Sequence, residues 1–133
     1  MSHKILIIGK NSFIGKSLFN SLNENCYLAS REDFDLLNLK ESLDFISKNK
    51  FNIVINCAIS GTSKNTDDIN DFYNNILLFE NLLLIQEKLK FKLITFSSGA
   101  ESICSTDFSD DLKPANFCTC KTAAVKVVFP WST

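Results

Sequence analysis

Short apolar runs alternate with longer stretches in which apolar residues recur every three or four positions, and this alternation leaves few folds open to the chain. Ile5-Leu6-Ile7-Ile8 is a run of four closed by Gly9. Its length and flanking glycine favour a strand buried on both faces over a piece of helix. Phe13, Ile14, Leu18, Phe19 and Leu22 follow at helical spacing, with Ser12 placed to cap the helix. Cys26 to Ala29 is a second strand. Asn38-Leu39-Lys40-Glu41 has the form of a capping box, Asn38 as cap and Glu41 three residues on, and Leu43, Phe45 and Ile46 extend it into a short helix. Phe51 to Asn56 is a third strand, rich in β-branched residues. The polar stretch from Ser60 to Asp68 reads as a loop. Ile69, Phe72, Tyr73, Ile76, Phe79, Leu83 and Leu84 then give a long helix a broad apolar face, and Phe91 to Phe96 is a fourth strand. Residues 101–113 are acidic and polar, as in a loop. Asn116 to Val128 reads as a helix entered after Pro114 and stopped by Pro130. Connections this long exclude hairpins, so the expected fold is α/β: a doubly wound parallel sheet with helices on both faces.

The 133 residues are the size of one domain. With 45% hydrophobic and 22% charged residues, the composition is that of a globular chain, and a formal net charge of −1 offers nothing to nucleic acid or an acidic membrane. No apolar run approaches the ~18 residues that span a bilayer. The start, Met1-Ser2-His3-Lys4 followed by four apolar residues and Gly9, does not have the form of a signal peptide. A cytoplasmic location is therefore expected. Cys26, Cys57, Cys104, Cys118 and Cys120 are odd in number and contain no Cys-x-x-Cys pair, and His3 is the single histidine. The expectation is reduced, mostly buried thiols and no metal site.

In such a sheet, ligands bind beyond the carboxyl ends of the strands, near the point where strand order reverses. The first such segment is Gly9-Lys10-Asn11-Ser12-Phe13-Ile14-Gly15. Gly9 permits a tight turn, Gly15 permits close packing of helix on strand, and the amides that open the helix can face a pyrophosphate. A glycine turn without a ligand is the alternative.

This segment resembles the Gly-x-x-Gly-x-x-Gly loop of the extended short-chain dehydrogenase/reductase family, the NAD(P)-dependent epimerase/dehydratase group, and in particular its dTDP-4-dehydrorhamnose reductase type. Ser12 stands where the family has the middle glycine. The resemblance implies cofactor contacts at Gly9, Asn11, Ser12, Phe13, Ile14 and Gly15. After the second strand, Ser30-Arg31 holds the place where the family reads the adenosine ribose. A carboxylate there would favour NAD, whereas an arginine suits a 2′-phosphate, so NADP is expected over NAD. Asp35-Leu36 is similar to the family's adenine-contacting Asp-Leu, the alternative being a solvated charged loop. Asn56-Cys57-Ala58 resembles the family's Asn-x-Ala against the cofactor phosphates and ribose, which implicates Cys57 and Ala58. Asn75 matches an asparagine that steadies the active-site strand.

The same resemblance assigns catalysis. Ser98, in Phe96-Ser97-Ser98-Gly99-Ala100, matches the serine or threonine that hydrogen-bonds the substrate oxygen. Lys121 matches the lysine that binds the nicotinamide ribose and lowers the pKa of a tyrosine. That tyrosine's place is held by Phe117, which has no hydroxyl to serve as acid or base. The resemblance therefore implies a Rossmann-like sheet of about four strands in the order 3-2-1-4. Its fourth strand would lie at an open edge able to pair with a second copy. It further implies a dinucleotide-binding domain over residues 1–133, truncated before the family's sugar-binding domain. The expected function is NAD(P) binding related to nucleotide-sugar epimerases, dehydratases and reductases, with weak or no catalysis. Expected partners are the dinucleotide and a nucleotide-sugar substrate. The alternatives are a non-catalytic cofactor-sensing or protein-interaction module, or a degenerate gene remnant.

Overall fold

The structure, a computed structural model, describes residues 3–22, 25–61 and 69–96. Their elements run β1 (Ile5–Ile8), α1 (Phe13–Leu22), β2 (Cys26–Ala29), α2 (Leu39–Asn49), β3 (Ile53–Asn56), α3 (Ile69–Leu89) and β4 (Lys92–Thr95). The helix expected over 116–128 lies outside the described residues. The chain divides into two compact units. One holds all four strands, α1, α2 and the second half of α3 from Glu80. The other, among the described residues, holds Ser60, Gly61 and α3 from Ile69 to Phe79.

All strand pairings are parallel, and the order is β2-β1-β3-β4. Ile5 faces Cys26 on one side and Ile53 on the other, and Ile53 in turn faces Lys92. Consecutive residues of a strand point to opposite faces. Leu6 and Ile7 are both fully buried, as are Val54 and Ile55 nearly so, which means that both faces of the central strands are covered. The sheet is a doubly wound, Rossmann-like α/β sheet.

The expected order 3-2-1-4 is corrected in one respect: β3 lies beside β1, not outside β2. Its apolar run, Ile53-Val54-Ile55, gains most from a central position with a strand on each side. Strand β2 carries Cys26 and Tyr27, and Tyr27 is 40% exposed, which an end strand tolerates. The winding therefore reverses after β2, and the switch point falls between β1 and β3. β4 is last in the four-strand order, as expected.

Local signals account for the helix ends. Ser12 Oγ accepts from Gly15 N–H at 2.8 Å and caps α1. Asn38 Oδ1 accepts from Glu41 N–H at 3.2 Å and caps α2. The return half of the capping box does not form. Asn38 N–H already donates to Asp35 O, so the Glu41 carboxylate accepts from Asp35 N–H instead. Lys50 closes α2 in the left-handed region, with φ 52°, and donates to Ile46 O. Under α2, Phe34 stacks on Phe45 with ring centroids 4.5 Å apart, and Tyr27 meets Phe45 edge-on at 5.6 Å.

Candidate functional site

The carboxyl ends of β1, β2 and β3 converge on Gly9. Both Gly9 N–H and Lys10 N–H donate to Ala29 O at the end of β2. Cys57 N–H donates to Ile8 O. Gly9 has φ +113°, and a Cβ there would lie 2.9 Å from the Cys57 carbonyl carbon and 3.1 Å from Ala58 N. Both the backbone conformation and the space demand glycine. Asn56 is buried, and its Oδ1 accepts from Ala58 N–H, turning the chain as it leaves β3. Cys57 is half-buried, and that burial raises its thiol pKa, favouring the neutral form.

Gly15 is needed for a second close approach. A Cβ on it would run into Gly9 O and come within 2.8 Å of Ser12 Oγ, so α1 begins pressed onto the loop that precedes it. Ser12 is not among the residues with positive φ, so a side chain is accommodated where the family has glycine. The hydroxyl has a consequence for an incoming anion. The first amides of a helix have no intrahelical acceptor and attract negative charge. Ser12 already satisfies the amide of Gly15, leaving the anion-binding capacity of α1 to the amides of Phe13 and Ile14. The side chains of Asn11, Phe13 and Ile14 are exposed, Phe13 at 87%.

The end of β2 holds a network that the motif reading missed. Ser30 N–H donates to Asp33 Oδ2 at 2.8 Å, and Tyr27 OH donates to Asp33 Oδ1 at 2.7 Å. Ser30 Oγ accepts from Glu32 N–H and reaches Asp33 Oδ2 at 3.3 Å. The Ser30 amide, then the Tyr27 hydroxyl, hold the Asp33 carboxyl below its ordinary range, with a smaller contribution from the charge of Lys10. Arg31 is exposed on this turn. Asp35 turns the chain toward α2, its carboxylate accepting from Leu37 N–H. The side chain of Leu36 is buried, and its carbonyl accepts from the buried Asn81 at 2.8 Å. No sequence signal points to Asn81, since a polar residue in a long helix reads as solvated.

In the second unit, Asn75 is buried and bonded to Ser60 at both backbone groups. Ser60 Oγ donates to Asp71 Oδ1 at 2.7 Å, and Gly61, with φ +84°, lies so close to Asp71 that a Cβ would collide with its carboxylate. Asn75 thus holds the segment following β3, using Ser60 and Asp71, which the motif reading did not single out. Ser98, Phe117 and Lys121 lie outside the described residues, as do Cys104, Cys118 and Cys120. Among the described residues no three His, Cys, Asp or Glu side chains gather as a metal site would need, and no helix is long and apolar enough to cross a membrane.

A doubly wound parallel sheet whose glycine loop lies against the turn after β3 at the switch point defines a Rossmann-like class of fold. The NAD dependent epimerase/dehydratase family matches residues 5–112, and the chain belongs to that family. Among solved structures it is similar to the GDP-mannoheptose C4 reductase from Campylobacter jejuni with NADP bound, at 23% identity and a TM-score of 0.75 over 95% of this chain and 46% of that one. It is also similar to dTDP-4-dehydrorhamnose reductase from Bacillus anthracis in complex with NADP, at 19% identity and a TM-score of 0.79 over 96% and 49%. A third is the enzyme WbmG from Bordetella bronchiseptica in complex with NAD and UDP, at 14% identity and a TM-score of 0.73 over 95% and 49%. The chain therefore spans about half the length of these structures. Comparison with curated proteins finds no match.

Proposed function

We propose that this domain binds a nicotinamide dinucleotide at the β1/β3 switch point, NADP in preference to NAD, and turns over a nucleotide sugar weakly or not at all. The observation that carries the reading is the double close approach at Gly9 and Gly15, a cradle that a Cβ at either position would fill. It brings the start of α1, the end of β2 and the turn after β3 to one place. Phe13 and Ile14 amides would meet the pyrophosphate, Ser30 and Arg31 the adenosine ribose and its phosphate, and Cys57 and Ala58 would lie along the cofactor. When bound, the nicotinamide supplies or accepts hydride. Ser98 and Lys121 would hold a substrate oxygen and the nicotinamide ribose. Phe117 leaves the proton that accompanies hydride without its usual carrier, which supports binding over catalysis.

Calorimetric titration with NADPH and NADH tests the reading. Ile14→Glu supplies the control, because an acidic residue in the first turn suits the helix dipole yet repels a pyrophosphate. Wild-type binding of NADPH, lost in Ile14→Glu at an unchanged melting temperature, is the expected result. Binding that survives the substitution would place the dinucleotide elsewhere.

A further inference from the structure

The turn after β2 carries an acid whose two oxygens are both engaged. Asp33 Oδ2 receives the Ser30 amide at 2.8 Å, and Asp33 Oδ1 receives the Tyr27 hydroxyl at 2.7 Å, a length typical of a charge-assisted bond. Tyr27 is itself fixed by ring contacts with Phe45 and Phe51, at 5.6 and 6.3 Å between centroids. The hydroxyl is thus delivered to Asp33 from a ring that two aromatic neighbours orient at the edge of the sheet. Ser30 also accepts from Asp33 N–H through its carbonyl, so the turn is closed from both ends. Arg31 lies inside that turn and is exposed.

A carboxylate beside the end of β2 is the chemistry that pairs with a ribose diol, and it repels a phosphate on the same ribose. Asp33 is in the right segment for this but is committed elsewhere. We propose that Tyr27 is a positioning residue for cofactor selection. By holding the Asp33 carboxylate on Ser30, it withholds that acid from an unphosphorylated ribose and leaves Arg31 to meet a 2′-phosphate. The inference rests on the dinucleotide reading above and extends it to two residues, Tyr27 and Asp33, that no cofactor motif includes. The low pKa of the Asp33 carboxyl agrees with a carboxylate kept ionised by these donors.

Titration of the 133-residue chain with NADPH and NADH, in wild type, Tyr27→Phe, Asp33→Asn and the double variant, separates the outcomes. Phenylalanine keeps the ring and its aromatic contacts and removes only the donor. Freeing one oxygen of the carboxylate in this exposed turn should lower the NADPH-over-NADH affinity ratio by about three- to tenfold, the range expected for one ordinary hydrogen bond made in competition with water. Asp33→Asn should hold or raise the ratio, and Tyr27→Phe added to it should do nothing further. A merely structural role for Tyr27 would weaken both nucleotides equally. An unchanged ratio in Tyr27→Phe, the same shift with and without the Asp33 carboxylate, a fall in the ratio in Asp33→Asn alone, or tighter NADH than NADPH binding by wild type would each overturn the inference while leaving dinucleotide binding in place. Wild type that binds neither nucleotide overturns the dinucleotide reading, and this inference with it.

Discussion

The side-chain amide of Asn75 treats Ser60 as a neighbouring strand would: it accepts from Ser60 N–H at 2.9 Å and donates to Ser60 O at 2.9 Å. Its second N–H donates to Asp71 O at 2.8 Å, so three of its hydrogen-bonding positions are in use in a buried place. Asn75→Ala would strand both backbone groups of Ser60, at a cost of roughly 2–4 kcal/mol for two buried polar groups. Urea denaturation with an unchanged m-value would measure it. Stability equal to wild type would show that water replaces the amide freely.

Ser12 serves the helix at the expense of an anion site. Ser12→Ala should cost about 1 kcal/mol, as loss of a cap does, whereas Ser12→Gly should cost only a few tenths. Both release the amide of Gly15. Ser12→Gly should therefore bind NADPH several-fold more tightly than wild type with nearly the same denaturation midpoint. Weaker binding would mean that the hydroxyl itself contacts the phosphates.

Asp33 should leave a signature in acid. Its carboxyl is held below the ordinary value of 3.8 in the folded chain. The unfolded state thus binds the proton more readily, and the stabilisation is present above the unfolded pKa and lost as pH falls through the folded one. The group is largely solvated, so the effect is small. Melting temperatures below about pH 4 should fall less steeply in Asp33→Asn than in wild type. Parallel acid limbs would show that the Ser30 and Tyr27 bonds do not persist in solution.

Phe117 sets the catalytic expectation. Phe117→Tyr should raise any NADPH oxidation with keto-sugar nucleotides, by up to the 10²–10⁴-fold that one acid–base group contributes. An assay that shows no gain, with NADPH binding intact, would assign the defect to parts of the catalytic arrangement other than this hydroxyl.

Much of this architecture is written locally. The run Ile5–Ile8 before Gly9, the helical spacing after Ser12, and the caps Ser12 and Asn38 each depend on residues a few positions apart, and the structure places β1, α1 and α2 accordingly. The glycine loop is legible in part for the same reason, since the positive φ of Gly9 and the close approach of Gly15 to Gly9 O are local, whereas the crowding of Gly9 by Cys57 and Ala58 belongs to the assembled sheet. Strand order is different. A right-handed crossover from β2 satisfies the local pattern on either side of β1, and only burial of Ile53-Val54-Ile55 between two strands decides for the centre. The hold of Asn81 on Leu36 across 45 residues and that of Asn75 on Ser60 across 15 likewise exist only once the sheet and helices are assembled. Short-range hydrogen bonds and periodicity determined the elements by sequence alone. Which polar side chains would be buried, and which backbone groups they would satisfy, was decided by tertiary packing, because a buried donor or acceptor must find its partner in whatever segment the fold brings beside it.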